Sequence, residues 1–138
     1  MAQLSVGGAT FTSLAKNSQW DNDLYEGLVA PTFGSDLLVE SWLRGSKEGS
    51  YCKPKYSYKV VDVSSMSLDA GKAGNITWTE TQDHAKWALA LDQSNLVCVC
   101  DINRMTTQRV RGGGCICFKQ ASLATQLYNT VAASYDCP

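Results

Sequence analysis

His84 is the only histidine in this 138-residue chain. Lys86 follows two residues later, in the run Asp83-His84-Ala85-Lys86-Trp87. Imidazole titrates near neutrality and serves as a nucleophile or as an acid/base. Residues two apart on a strand point to the same side, so a strand here would set the ammonium beside the imidazole. Such a pair suits an anionic, phosphate-like group. Two further clusters lie downstream. Cys100-Asp101-Ile102-Asn103-Arg104-Met105 contains Asn103, a side chain able to tie down a turn. Gln108-Arg109-Val110-Arg111-Gly112-Gly113-Gly114 reads as a tight connection needing positive φ rather than as a phosphate cradle.

The six cysteines, an even number, point to an oxidising compartment. Zinc knuckles normally place two or more residues between their cysteines, whereas Cys98-Val99-Cys100 and Cys115-Ile116-Cys117 place one. The alternation fits strands. Cys98 with Cys117 and Cys100 with Cys115 share one index sum, as opposed residues of an antiparallel hairpin do. Two bridges on one face, Cys98–Cys117 and Cys100–Cys115, are therefore expected, which leaves Cys52–Cys137 as a long-range third.

The length fits a single domain, residues 1–138, with a modest core. A hydrophobic content of 44% with 18% charged residues is globular, neither disordered nor membrane-spanning. The net charge of -1 predicts neither nucleic-acid nor membrane binding by itself. The charge is unevenly placed, however. Residues 17–43 hold Asp21, Asp23, Glu26, Asp36 and Glu40 with no Lys or Arg, and residues 101–119 hold Arg104, Arg109, Arg111 and Lys119 against one acid. The first residues, Met-Ala-Gln-Leu-Ser-Val-Gly-Gly, lack the basic and apolar regions of a signal peptide. With disulfides expected, the economical reading is a piece of a longer secreted precursor.

The elements that must position these groups can be read coarsely. Asp23 caps a helix over 23–30, Glu26 completes a capping box, and Pro31 ends the run. Strands are expected over 37–43, 56–63, 84–91, 96–102 and 114–118. Leu123, Leu127, Tyr128 and Val131 form a stripe that predicts a closing helix within 121–133. Interleaved strands and helices make the fold class α/β with a mixed sheet.

The three clusters, in this order, closely resemble the deoxyribonuclease II family, which reads Asp-His-Ser-Lys-Trp, Gly-Asp-x-Asn-Arg, then Arg-Gly-Gly-Gly before a cysteine. Upstream, the segment from Gly7 to Lys16 and the run Asp23-Leu24-Tyr25-Glu26-Gly27 are similar too. The resemblance covers the whole chain but only the C-terminal half of a family member. It implies a phospholipase D-like fold, a mixed sheet flanked by helices, forming one half of a pseudo-dimeric nuclease. It further implies that His84 and Lys86 are the second of two His-x-Lys motifs, that Asn103 supports them, and that the bridges are Cys98–Cys117 and Cys52–Cys137.

The activity so implied is acid endonuclease cleavage of DNA to 3′-phosphate products. One histidine attacks phosphorus, another protonates the leaving oxygen, lysines hold the non-bridging oxygens, and no cofactor or metal is needed. One His-x-Lys is present where two are required. The partner is therefore a missing N-terminal half or a homodimer copy, whose junction with this chain would leave the His84 and Trp87 face apolar and exposed. The location implied is lysosomal or secreted, and Asn75-Ile76-Thr77 is an N-glycosylation sequon. The alternative is a catalytically inactive secreted nucleic-acid-binding or interaction module that keeps the fold.

Overall fold

The computed structural model describes residues 1–52, 57–135 and 137. Nine strands form one sheet: β1 (Ala2–Val6), β2 (Ala9–Lys16), β3 (Leu37–Glu40), β4 (Val60–Asp69), β5 (Asn75–Thr79), β6 (Trp87–Ala90), β7 (Leu96–Cys100), β8 (Gly113–Lys119) and β9 (Val131–Tyr135). Their order is β1-β2-β8-β7-β6-β3-β4-β5, with β9 on β4. The β3–β4 pair is parallel and the other pairs are antiparallel. The sheet is mixed, as the sequence pattern requires, and compatible with a phospholipase D-like fold.

Two hydrophobic clusters lie on opposite faces of the sheet. Leu14, Leu37, Val39, Ala88, Leu96 and Cys98 pack beneath Leu24, Tyr25, Val29 and Ala30. On the other face Leu38, Val63, Met66, Trp87, Leu89 and Val97 meet Trp78 and the Leu123 and Leu127 side chains. Those last two belong to α2 (Ala121–Thr130), which ends three residues before the expected limit. The chain there turns extended to pair as β9 with β4, because Val131 finds a ladder partner in Met66.

The first helix differs from expectation at its far end. Asp23 does cap it, its Oδ1 accepting the N–H groups of Tyr25 at 2.9 Å and Glu26 at 3.0 Å. A π-helical turn over Tyr25–Val29 then runs directly into α1 (Ala30–Phe33). Pro31 sits in the first α-helical turn, where its missing N–H costs little, and left-handed Gly34 at φ 67° ends the helix instead. Among the described residues helices are few, and none lies in the connection from β3 to β4. The strand expected over 56–63 is β4, which begins at Val60; Tyr56 lies outside the described residues.

β7 and β8 pair with Cys98 opposite Cys117 and Cys100 opposite Cys115, the register that the index sums demand. Cys98–Cys117 and Cys52–Cys137 are disulfides. The expected Cys100–Cys115 bridge is not formed, and both residues are thiols. Cys115 Sγ leans along its own strand to 3.7 Å from Cys117 Sγ. A hydrogen bond with Cys115, and then burial, push the Cys100 thiol far up. The Cys98, Cys115 and Cys117 sulfurs lie within 4.8 Å of one another, but two of them are already joined.

Candidate functional site at the β3, β6 and β7 ends

Antiparallel pairing makes β3 and β7 end where β6 begins. Ser41 and Trp42 follow β3, Asn103 and Arg104 follow β7, and His84 and Lys86 precede β6. The Cys100 N–H donates to the Lys86 carbonyl at 2.9 Å, locking the last two of these segments together. The topology therefore brings all three sequence-predicted residues, His84, Lys86 and Asn103, to one end of the sheet.

His84 and Lys86 do not lie on a strand. β6 starts only at Trp87, and the loop before it is shaped by Asp83, whose Oδ1 accepts the Ala85 N–H at 2.8 Å. Asp83 Oδ2 accepts Trp78 Nε1–H, also at 2.8 Å. Short side-chain-to-backbone bonds of this kind compete with the ladder, which is why extended geometry begins late. Lys86 reaches the imidazole's neighbourhood by another route: its Nζ donates to the His84 carbonyl at 2.7 Å. The His84 ring is exposed and stacks on the Trp42 indole with centroids 4.4 Å apart and planes 29° from parallel.

Asn103 is buried, and its Oδ1 has no hydrogen-bond partner among the described residues. Its neighbour Arg104 is 0% exposed. The guanidinium meets Asp62 at 2.7 Å, Glu26 at 3.4 Å, Asp23 at 3.5 Å and the Gly49 carbonyl at 2.9 Å. Burial lowers the affinity of Arg104 for its proton, but Asp23 and Asp62 outweigh it and hold the charge firmly. Burial also raises the Glu26 and Asp62 carboxyls against the pull of Arg104. The Arg104 N–H donates to Ser41 Oγ at 3.1 Å, tying the Asn103 segment to the end of β3. Nothing in the sequence beyond its place in the motif marks Arg104 as this hub.

The uneven charge along the chain is largely internal pairing. Arg104 takes Asp23 and Glu26, and Arg109 takes Asp21 at 3.2 Å and Glu48 at 3.4 Å. The glycine run is packed rather than open. A Cβ on Gly114 would lie 2.0 Å from the Leu14 carbonyl oxygen, and one on Gly113 would strike Asp101 Oδ1. The Gly114 N–H donates to that same Asp101 oxygen at 2.7 Å. Close approach to β2, more than positive φ, is what these glycines allow.

Behind the His84 loop lies a wall of acids. Glu40 closes β3 fully buried, with neither oxygen hydrogen-bonded among the described residues. Burial, then Asp83, Glu80 and Asp62, raise its carboxyl to about 8. Burial also raises Glu80, but hydrogen bonds from Lys47 at 2.8 Å and Tyr135 at 2.7 Å outweigh it and hold that carboxyl below its usual range. The expected apolar junction around Trp87 is not found there, since Trp87 is only 6% exposed. Trp78 packs against the buried cluster to which Trp87 belongs. Its cross-strand neighbour Val99 and the next residue in that row, Ile116, are the exposed ones, at 54% and 39%. Asn75, first residue of β5, is exposed.

A family model described as Deoxyribonuclease II matches residues 1–137. Deoxyribonuclease-2 of Caenorhabditis elegans is 39% identical over 134 residues, covering 96% of this chain and 34% of that protein. Plancitoxin-1 of Acanthaster planci is 35% identical over 135 residues, 96% of this chain and 36% of its own length. Deoxyribonuclease-2-alpha of Mus musculus is 36% identical over 114 residues, 82% of this chain and 31% of its own. The chain thus spans about a third of the length of the relatives it matches.

Proposed function

The chain belongs to the deoxyribonuclease II family, and on that premise we propose that it supplies the His84–Lys86 half of an acid endonuclease site acting on DNA. The observation that carries the reading is the meeting of His84, Lys86 and Asn103 at one end of the sheet, with an exposed imidazole and a buried Asn103 Oδ1 that has no partner among the described residues.

A phosphodiester repels anionic nucleophiles, so a neutral imidazole nitrogen is a suitable attacker. In the first step a P–N bond forms, the P–O5′ bond breaks, and a second imidazolium gives its proton to the leaving 5′-oxygen. Water then attacks phosphorus and frees the imidazole, leaving a 3′-phosphate. Lys86 serves by leaving the His84 carbonyl for a non-bridging phosphate oxygen, where its charge matters most as negative charge builds up. Asn103 Oδ1 is an acceptor available to orient an imidazole or ammonium N–H. None of these steps calls for a metal. The second His-x-Lys comes from sequence outside these residues or from a second copy of the chain, since His84 is the sole histidine. Two disulfides support an oxidising destination, secreted or lysosomal, and the exposed Asn75 is open to glycosylation.

Plasmid nicking at acid pH, followed together with sedimentation, tests the proposal. The expected result is metal-independent nicking by an assembly holding two motifs, abolished by His84→Ala and severely reduced by Lys86→Ala. Full activity after His84→Ala, or strict Mg²⁺ dependence, overturns the mechanism. A monomer of this chain that nicks DNA overturns the two-motif arrangement.

A further inference from the structure

The structure assigns Trp42 a role that no motif marks: we infer that its indole is the positioning residue that fixes the orientation of the His84 imidazole. The inference rests on the catalytic reading of His84. Among the described residues no hydrogen bond reaches either ring nitrogen of His84, and the face-on contact with Trp42, at 4.4 Å and 29°, is what bears on the ring. An exposed imidazole without such a contact turns freely about its χ angles, whereas in-line attack on phosphorus requires one nitrogen aimed at one atom.

Trp42 is itself held from two sides. Its Nε1–H donates to the Thr81 carbonyl at 2.9 Å, in the 3-10 turn (Glu80–Gln82) that leads into the His84 loop. Its backbone follows Ser41, which is fully buried and accepts the Arg104 N–H. The indole therefore refers the imidazole to the two segments that frame the site, the end of β3 and the Asn103–Arg104 step. An aromatic face also tolerates both protonation states of its neighbour, because it packs against neutral imidazole and attracts imidazolium. Holding the ring by its face leaves both nitrogens free for proton transfer, for the P–N bond, or for an acceptor such as Asn103 Oδ1.

Because the chain has one histidine, its ring protons give a single pair of imidazole signals in the proton NMR spectrum of the full chain. Stacking on indole shifts them upfield of free imidazole. Trp42→Leu is expected to return them to the free position while the protein stays folded by circular dichroism. Trp42→Phe keeps an aromatic face but loses the bond to Thr81, and its shifts should fall between. Ring signals unchanged in folded Trp42→Leu overturn the inference, and if that variant does not fold, unchanged signals in Trp42→Phe do so. In the nicking assembly, Trp42→Leu should lower kcat by about tenfold to a hundredfold with KM little changed, and Trp42→Phe should recover much of it. Undiminished kcat in Trp42→Leu where His84→Ala is inactive overturns the positioning role alone; nicking that survives His84→Ala overturns the catalytic reading on which it rests.

Discussion

Glu40 lies directly opposite Trp87 across the β3–β6 pair, a carboxyl sealed beside an indole with no hydrogen bond to either oxygen among the described residues. With the folded carboxyl raised to about 8 from an ordinary 4.5, the folded protein keeps a proton that the unfolded chain has released. Stability from this group is full below the unfolded value and is lost as pH rises through the folded one, by up to about 1.4 kcal/mol per pH unit between them. Urea melts at pH 5 and pH 8 should show a smaller loss for Glu40→Gln than for the natural chain. Equal losses in the two proteins would mean that Glu40 is not the group responsible.

Arg104 faces three carboxylates from a site without solvent, so removing it leaves buried acids uncompensated. Arg104→Met should lose about 3–5 kcal/mol in chemical denaturation. Arg104→Lys should recover little, because one ammonium cannot reach Asp62, Glu26 and the Gly49 carbonyl together. The penalty should shrink at acid pH, where the raised Glu26 and Asp62 carboxyls take up protons. A penalty independent of pH would show that packing, not charge, is what Arg104 provides.

Gly114→Ala and Gly112→Ala make a matched pair. The first sets a methyl group against the Leu14 carbonyl and should cost about 1–3 kcal/mol or more by prising β2 from β8. The second meets backbone no closer than 3.6 Å and should melt almost as the natural chain does. Equal melting temperatures for the two variants would contradict the close packing of the glycine run.

Thiol titration of the unfolded, unreduced protein should find two thiols per chain, and peptide mapping should place them at Cys100 and Cys115. Breaking Cys52–Cys137, which spans a sequence separation of 85, should cost about 4–5 kcal/mol on chain-entropy grounds. The absence of titratable thiols would mean that the four hairpin cysteines are joined as two bridges.

What could be read from the sequence depended on how local each signal was. The Cys98–Cys117 register followed from index arithmetic because a hairpin is a local object, and Asp23 announced its helix because a cap acts within three residues. The Cys100–Cys115 rung obeyed the same arithmetic, yet the chemistry diverged, since the direction of the Cys115 sulfur is a tertiary fact. The β1–β2 hairpin carries little hydrophobic patterning, its first strand being exposed throughout, and gave no strand signal. His84, Lys86 and Asn103 stood out as motif residues. Trp42 and Glu40 did not, and Arg104 stood in a motif without its role as a hub being legible, because their meaning arises only when β3 is laid beside β6 and β7, a pairing that no short pattern encodes.

The β2–β8 pairing, next to the β1 edge of the sheet, joins Leu14 to Cys115, residues far apart in sequence. During synthesis the β1–β2 hairpin emerges before the other strands of this sheet and must wait for β8 until β3 to β7 have left the ribosome. Closing so large a loop before any ladder forms is slow. Until then the β2 edge that β8 will cover is unpaired, a surface on which two nascent chains can join. Chaperone demand during biogenesis, rather than stability once folded, is where this topology should weigh most heavily on the cell.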